Sequence, residues 1–306
     1  MPDWRVTIGS LTLNNPVLAA AGTFGYGTEF ARAVPLERLG ALITKTLTLQ
    51  PREGNPPPRL VETPSGMLNA VGLQNVGLEA FLHDKLPPLL AHRVPLIVSL
   101  LGESIEETAA MARRLDRAEG VAAMELNLSC PNLEKRSGMV AQDPEATATI
   151  VQAARRETTK PLIAKLSPDV TDLVPIARAA VQAGADALSL GNTFVGMSLD
   201  PATRSSRLGR LTGGVSGPAI RPLAVYRVWY TAQSISVPII GLGGIVRAED
   251  ALEFFLAGAS AVAVGTANFA DPRAPLRVLQ GLERYLRKHR VGSLAELRGA
   301  VNQPLG

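Results

Sequence analysis

This 306-residue chain has one cysteine, three histidines, and aromatic side chains at only 4% of its positions. A single thiol permits no internal disulfide and no four-cysteine metal or cluster site. The histidines, His83, His92 and His289, do not pair at ligand spacing. Zinc chemistry and a histidine-based nucleophile are therefore not expected. No stretch approaches the roughly 18 apolar residues of a membrane-spanning helix. The opening Met-Pro-Asp-Trp-Arg lacks the basic start and apolar stretch of a signal peptide. A reducing, cytoplasmic setting and no membrane contact are expected.

Charge is present but not concentrated. The net charge is +4, and only six of the 31 basic residues are lysine. The arginines are scattered without interleaved aromatics, Arg204, Arg207 and Arg210 being the densest group. That pattern fits a solvated basic surface better than a nucleic-acid groove.

With 46% hydrophobic residues and so few rings, the core must be aliphatic. Short apolar runs at 17–21, 41–45, 96–100, 123–127, 162–166, 187–191, 237–241 and 261–265 alternate with amphipathic stretches. The clearest helical patterns are 104–118, 144–158, 173–183, 220–234 and 248–257. Runs that are apolar throughout suit parallel strands buried on both faces. Eight strand–helix units predict an α/β fold, a (β/α)8 barrel over residues 1–306, a single domain. An opening hairpin, 5–13, turning at Gly9-Ser10, is expected to plug the amino-terminal end. Two connections, 46–75 and 192–218, are too long for simple turns and should lie over the opposite mouth.

Chemistry in such a barrel is built at the carboxyl ends of the strands. Two glycine motifs fall there, Gly241-Leu-Gly243-Gly244 and Gly265-Thr266. Backbone amides without an intervening Cβ can cradle a phosphate at that position, although each motif alone reads equally as a turn. Lys45 and Lys165 both end strand runs, where a desolvated ammonium needs an anionic or electron-rich partner. The other reading is an ion pair at the core edge. Asn69, Asn127, Asn132 and Asn192 offer donors and acceptors suited to a planar ring with imide and carboxylate groups. The one thiol, Cys130, sits in Asn127-Leu-Ser-Cys-Pro-Asn132 just after a strand run. It is either a small buried filler or a base, its free pKa near 8.5 allowing removal of a carbon-bound proton.

Several segments, in order along nearly the whole chain, resemble one family. They include Ala21-Gly-Thr-Phe-Gly25, Thr44-Lys-Thr-Leu-Thr48, Asn55-Pro-Pro-Pro-Arg59 and Glu62-Thr-Pro-Ser-Gly-Met-Leu-Asn-Ala-Val-Gly-Leu-Gln-Asn75. Asn127-Leu-Ser-Cys-Pro-Asn132, Lys165-Leu-Ser-Pro168, Asn192-Thr-Phe-Val-Gly-Met197, Gly213-Gly-Val-Ser-Gly-Pro-Ala219, Gly241-Leu-Gly-Gly244 and 258–269 complete the set. The chain resembles class 1 dihydroorotate dehydrogenases, most closely the catalytic subunit of class 1B.

The resemblance implies oxidation of (S)-dihydroorotate to orotate in pyrimidine synthesis, with one FMN per chain as hydride acceptor. It implies that Cys130 takes the C5 proton. Lys45, Asn69, Gly72, Leu73, Asn127, Asn132, Asn192 and Thr193 would hold the substrate. Ala21, Lys45, Thr46, Ser99, Asn127, Lys165 and Gly191 would lie near the flavin, with Gly217, Gly243, Gly244, Gly265 and Thr266 around its phosphate. It further implies a homodimer, extended to a heterotetramer by a partner subunit carrying FAD and a [2Fe–2S] cluster, through which electrons reach NAD⁺. A class 1A-like, fumarate-dependent enzyme remains an alternative, as do a tRNA dihydrouridine synthase-like flavoenzyme, a flavin-free isomerase or lyase, and a non-catalytic flavin-binding module. Three departures from the family pattern stand out: Ser99 where an asparagine is usual, Ala21 where serine is frequent, and the unfamiliar segment 134–142.

Overall fold

The computed structural model describes residues 3–128 and 140–302. Cys130, Asn132 and most of the segment 134–142 lie outside the described residues.

Eight parallel strands close into a barrel: β1 (Val17–Ala19), β2 (Ala41–Ile43), β3 (Leu96–Leu100), β4 (Val121–Asn127), β5 (Leu162–Leu166), β6 (Ala187–Leu190), β7 (Ile239–Leu242) and β8 (Ala261–Val264). Each corresponds to one expected apolar run, and β8 pairs back onto β1 to complete the ring. The runs are continuous because alternate residues serve two cores. Val98, Met124 and Leu126 face the outer helices, while Ile97, Ala123, Ile163 and Ala187 fill the interior. The hairpin of Val6–Ile8 and Leu11–Leu13 places Val6, Ile8 and Leu13 in that interior cluster and so closes the amino-terminal end.

The expected helices are present, most of them shortened by one to three residues at an end. Ile105–Asp116 starts at Ser104, whose side chain accepts the Glu107 N–H. Pro144–Arg155 starts at Asp143, which accepts the Glu145 N–H. Val174–Gln182, Arg221–Ala232, Ala248–Leu256 and Ala274–His289, with a helical segment over 78–90 between β2 and β3, complete the outer ring. The first crossover differs from the expected strand–helix unit. Between β1 and β2 the chain forms only two 3₁₀ turns, Thr28–Phe30 and Leu36–Arg38. Gly22, Gly25 and Gly27, all at positive φ, bend the chain before residue 28, and Pro35 interrupts the stretch from there to β2. Among the described residues, no helix is long and apolar enough to cross a membrane.

The two long connections do more than cover the mouth. Leu60–Thr63 and Gly66–Asn69 from the first join Phe194–Gly196 and Gly213–Ser216 from the second in one antiparallel sheet. The join is between Gly66–Asn69 and Gly213–Ser216. Gly214 is required at this seam, because a Cβ there would meet Thr193 Oγ1 at 2.1 Å.

Candidate active site

A cavity of about 400 Å³ opens at the carboxyl ends of the strands, beneath the four-stranded sheet. Its volume lies within the range of small-molecule sites. Of the residues singled out above, Ala21, Lys45, Thr46, Asn69, Gly72, Leu73, Asn127, Lys165, Asn192, Thr193, Gly217, Gly243, Gly244, Gly265 and Thr266 line it. Ser99 and Gly191 do not.

Ser99 is fully buried one layer down. Its Oγ lies 2.9 Å from Thr46 Oγ1, and its N–H donates to Thr44 Oγ1. Thr46 Oγ1 in turn accepts from Asn127 Nδ2 at 3.3 Å. The serine therefore props Thr46, and through it the Asn127 amide, without reaching the cavity. Gly191 sits where any Cβ would run into the Leu242 carbonyl, so its role is close packing of β6 against β7.

One end of the cavity is built from backbone. Gly217, Gly243, Gly244, Gly265 and Thr266 converge there, beside the start of the helix Arg221–Ala232. The N–H groups of Gly244 and Thr266 make no hydrogen bond to other described residues. Such donors at a helix start attract phosphate.

The other end carries amides on the mouth sheet. Asn69 Nδ2 donates to the Gly214 carbonyl at 3.1 Å, tying the two long connections together. Asn192 Oδ1 accepts the Thr193 N–H at 2.8 Å. Leu73 is held at φ 55°, an unusual conformation for a branched residue. Asn75 enforces it: the Asn75 Nδ2 donates to the Leu73 carbonyl and to Thr48 Oγ1, both at 2.8 Å. Asn75 stands at the end of a family-like motif, but nothing in the sequence distinguishes its bracing role from that of a turn residue.

Lys45 and Lys165 supply the only charged side chains among the described residues lining the cavity. Burial pushes the Lys45 ammonium below the usual lysine range, the Arg59 guanidinium adds to the effect, and Glu29 partly opposes it. Lys165 is only 6% exposed and faces a residue that sequence reading does not single out. Glu125, fully buried on β4, places Oε1 3.5 Å from Lys165 Nζ. The core-edge ion pair considered for this lysine is thus present, while the lysine still lines the cavity.

A closed (β/α)8 barrel whose mouth brings glycine backbone, two lysines and a set of amides around one cavity is built as barrel enzymes are. The family model for dihydroorotate dehydrogenase matches residues 4–286, and the chain belongs to that family. It is 54% identical to a Geotalea daltonii protein named dihydroorotate dehydrogenase B (NAD(+)), catalytic subunit, over 98% of each chain. Proteins of the same name from Pelobacter propionicus and Geobacter sulfurreducens are 53% and 51% identical, again over 98% of this chain and 99% and 98% of theirs. Family membership also decides between the two flavin barrels that the sequence alone leaves open.

Proposed function

We propose that this chain is the catalytic subunit of a class 1B dihydroorotate dehydrogenase, oxidising (S)-dihydroorotate to orotate in pyrimidine synthesis. The observation that carries the reading is the cavity itself, lined by glycine backbone at one end, by the amides of the mouth sheet at the other, and by two lysines. The relatives' shared name, with its NAD(+) and catalytic subunit, favours the 1B class over a fumarate-dependent enzyme.

FMN fits the residues present. Its phosphate would take the Gly244 and Thr266 N–H donors, beside a glycine whose Cβ would collide with the Gly217 carbonyl and Arg221. Its ring would lie against Lys165, and the remaining space toward Asn69, Asn127 and Asn192 suits a small planar acid. When bound, FMN supplies the acceptor for the hydride that leaves substrate C6. Lys45 neutralises the substrate carboxylate, and the amides fix the ring's imide edge. Lys165 faces the negative charge that develops as electrons arrive. Cys130 removes the C5 proton. The electrons leave through an FAD and [2Fe–2S] partner subunit, since one cysteine cannot hold that cluster.

Absorbance near ~450 nm that bleaches anaerobically on adding dihydroorotate is the expected test result. A colourless protein that also fails to take up added FMN overturns the reading.

A second expectation concerns Lys45. An anionic ligand favours its protonated form, so the ligand-free lysine has the lower pKa of the two states. Orotate affinity should hold at neutral pH and fall as pH rises through the depressed pKa of the free protein, before an ordinary lysine near ~10.4 would titrate. Lys45→Met should bind orotate about 10- to 100-fold more weakly and lose that alkaline fall. An equal fall in both proteins, measured by equilibrium titration from pH 7 to 10, would assign the effect to another group.

A further inference from the structure

We propose that Glu125 is a positioning residue that keeps Lys165 protonated beneath the flavin, so that reduction of the bound FMN takes up one proton instead of two. The inference rests on the FMN reading above and concerns a residue that does not line the cavity.

The barrel interior is the starting point. Ala123, Ile163 and Ala187 fill it from β4, β5 and β6. The two-residue strand period then turns Glu125, Lys165 and Ser189 inward on three neighbouring strands. Register places Ser189 beside Lys165 and Asn127 on its other side. A polar trio thus sits directly below the cavity floor, inside an otherwise aliphatic barrel.

Each oxygen of Glu125 has a different environment. Ser189 Oγ donates to Oε2 at 2.8 Å. Oε1 is buried and makes no hydrogen bond, having only Lys165 Nζ at 3.5 Å. A carboxylate with no exposed surface needs a counter-charge, and among the described residues Lys165 is the only cation within ion-pair distance. The ammonium equally needs Glu125, since its side chain is 7% exposed. The contact is long for an ion pair, and Lys165 also lines the cavity while Glu125 does not. Lys165 therefore stands between a fixed anion below and the place where charge appears above.

No other described group takes over from Glu125. Facing Lys165 from the neighbouring strands are Ser189 and Asn127, both uncharged, and Ser99 on β3 is a neutral hydroxyl. Lys45, the other charged group on the cavity wall, is a second cation and offers Lys165 no counter-charge. With Glu125 in place, Lys165 carries its proton in both redox states. Bound FMN would then be reduced with two electrons and one proton, the Lys165 ammonium serving as the counter-charge. Without the carboxylate, a buried lysine beside a neutral oxidised ring releases its proton. It recovers that proton when the ring becomes anionic, so two electrons then enter with two protons.

The test is spectroelectrochemistry of the FMN-loaded protein across pH 7 to 9. The wild type should show the slope of one proton per two electrons, and Glu125→Gln about twice that slope. In a Lys165→Met background, Glu125→Gln should leave the slope at one proton, because the group that titrates is gone. An unchanged slope in Glu125→Gln, with FMN still reduced by dihydroorotate in the wild type, overturns this inference alone. Wild-type protein that takes up no FMN overturns the function proposed above. Thermal unfolding supplies a second readout should Glu125→Gln fold poorly. Each single variant leaves one buried ionisable group without its partner, either charged and unpaired or forced neutral, so the double Glu125→Gln/Lys165→Met variant should be more stable than either. Purely additive losses would overturn the pairing.

Discussion

A Cys130→Ala variant is expected to keep its FMN and to lose most flavin reduction by dihydroorotate, by about 10²- to 10⁴-fold. The reason lies in what the described cavity wall contains. Its charged side chains are Lys45 and Lys165, and an ammonium already holds its proton. The remaining polar groups are amides and hydroxyls, which are poor bases near neutrality. Proton removal from substrate C5 therefore calls for a further group. Cys130, two residues along the chain from Leu128, offers a thiol whose ordinary pKa is about 8.5. Cys130→Ser should retain part of the rate and move its pH dependence upward, because a hydroxyl gives up its proton far less readily. Anaerobic stopped-flow mixing of oxidised enzyme with dihydroorotate reads both effects directly. Unchanged reduction in the alanine variant would return Cys130 to a packing role.

Gly244→Val should weaken FMN binding by about 100-fold or more, the equivalent of losing one or two hydrogen bonds to a charged phosphate. Gly244 adopts φ +70°, and a Cβ there would stand 2.8 Å from both the Gly217 carbonyl oxygen and Arg221 Cβ. Valine would thus push apart the cradle and the start of the helix Arg221–Ala232 that borders it. Left-handed backbone alone costs a side chain roughly 1–2 kcal/mol, so a control is needed. Gly299 supplies it, with φ +72° and nothing within 4 Å of where a Cβ would stand. Gly299→Ala should lower thermal stability modestly and leave FMN affinity unchanged. Fluorescence titration of apoprotein with FMN distinguishes the two. Equal affinities in Gly244→Val and wild type would move the phosphate away from this cradle.

The barrel is legible in the sequence because its physics is local. A strand buried on both faces must be apolar at every position, so 96–100 and 162–166 announce themselves without any knowledge of their neighbours. Lys45 and Lys165 are legible for the converse reason, as charges where apolar residues are expected. Glu125 breaks the same rule in its own strand run. Its meaning depends on Lys165 and Ser189, which closure of the barrel brings to it across two strand pairings. The mouth sheet is not legible. Its strands are three or four residues long and half-exposed, and residues 66–69 pair with residues 213–216 across most of the barrel's sequence. The first crossover looks like a helical unit in sequence because its glycines resemble loop punctuation, whereas they shape the whole connection. Ser99 resembles a flavin contact only by analogy with an asparagine. The shorter side chain instead ends on Thr46, within the wall.

The hydrogen-bonded seam between the two long connections has a consequence for how the protein can vary. Asn69 belongs to one connection, Thr193 to the other, and the sheet that joins them fixes their separation. An insertion that shifts either strand of the seam by one residue would turn that strand's own side chains to the opposite face and misalign them with its partner. The mouth is therefore inherited as a single block, whose two halves must change length together. The outer helices, each packed on the barrel separately, are free to drift one at a time.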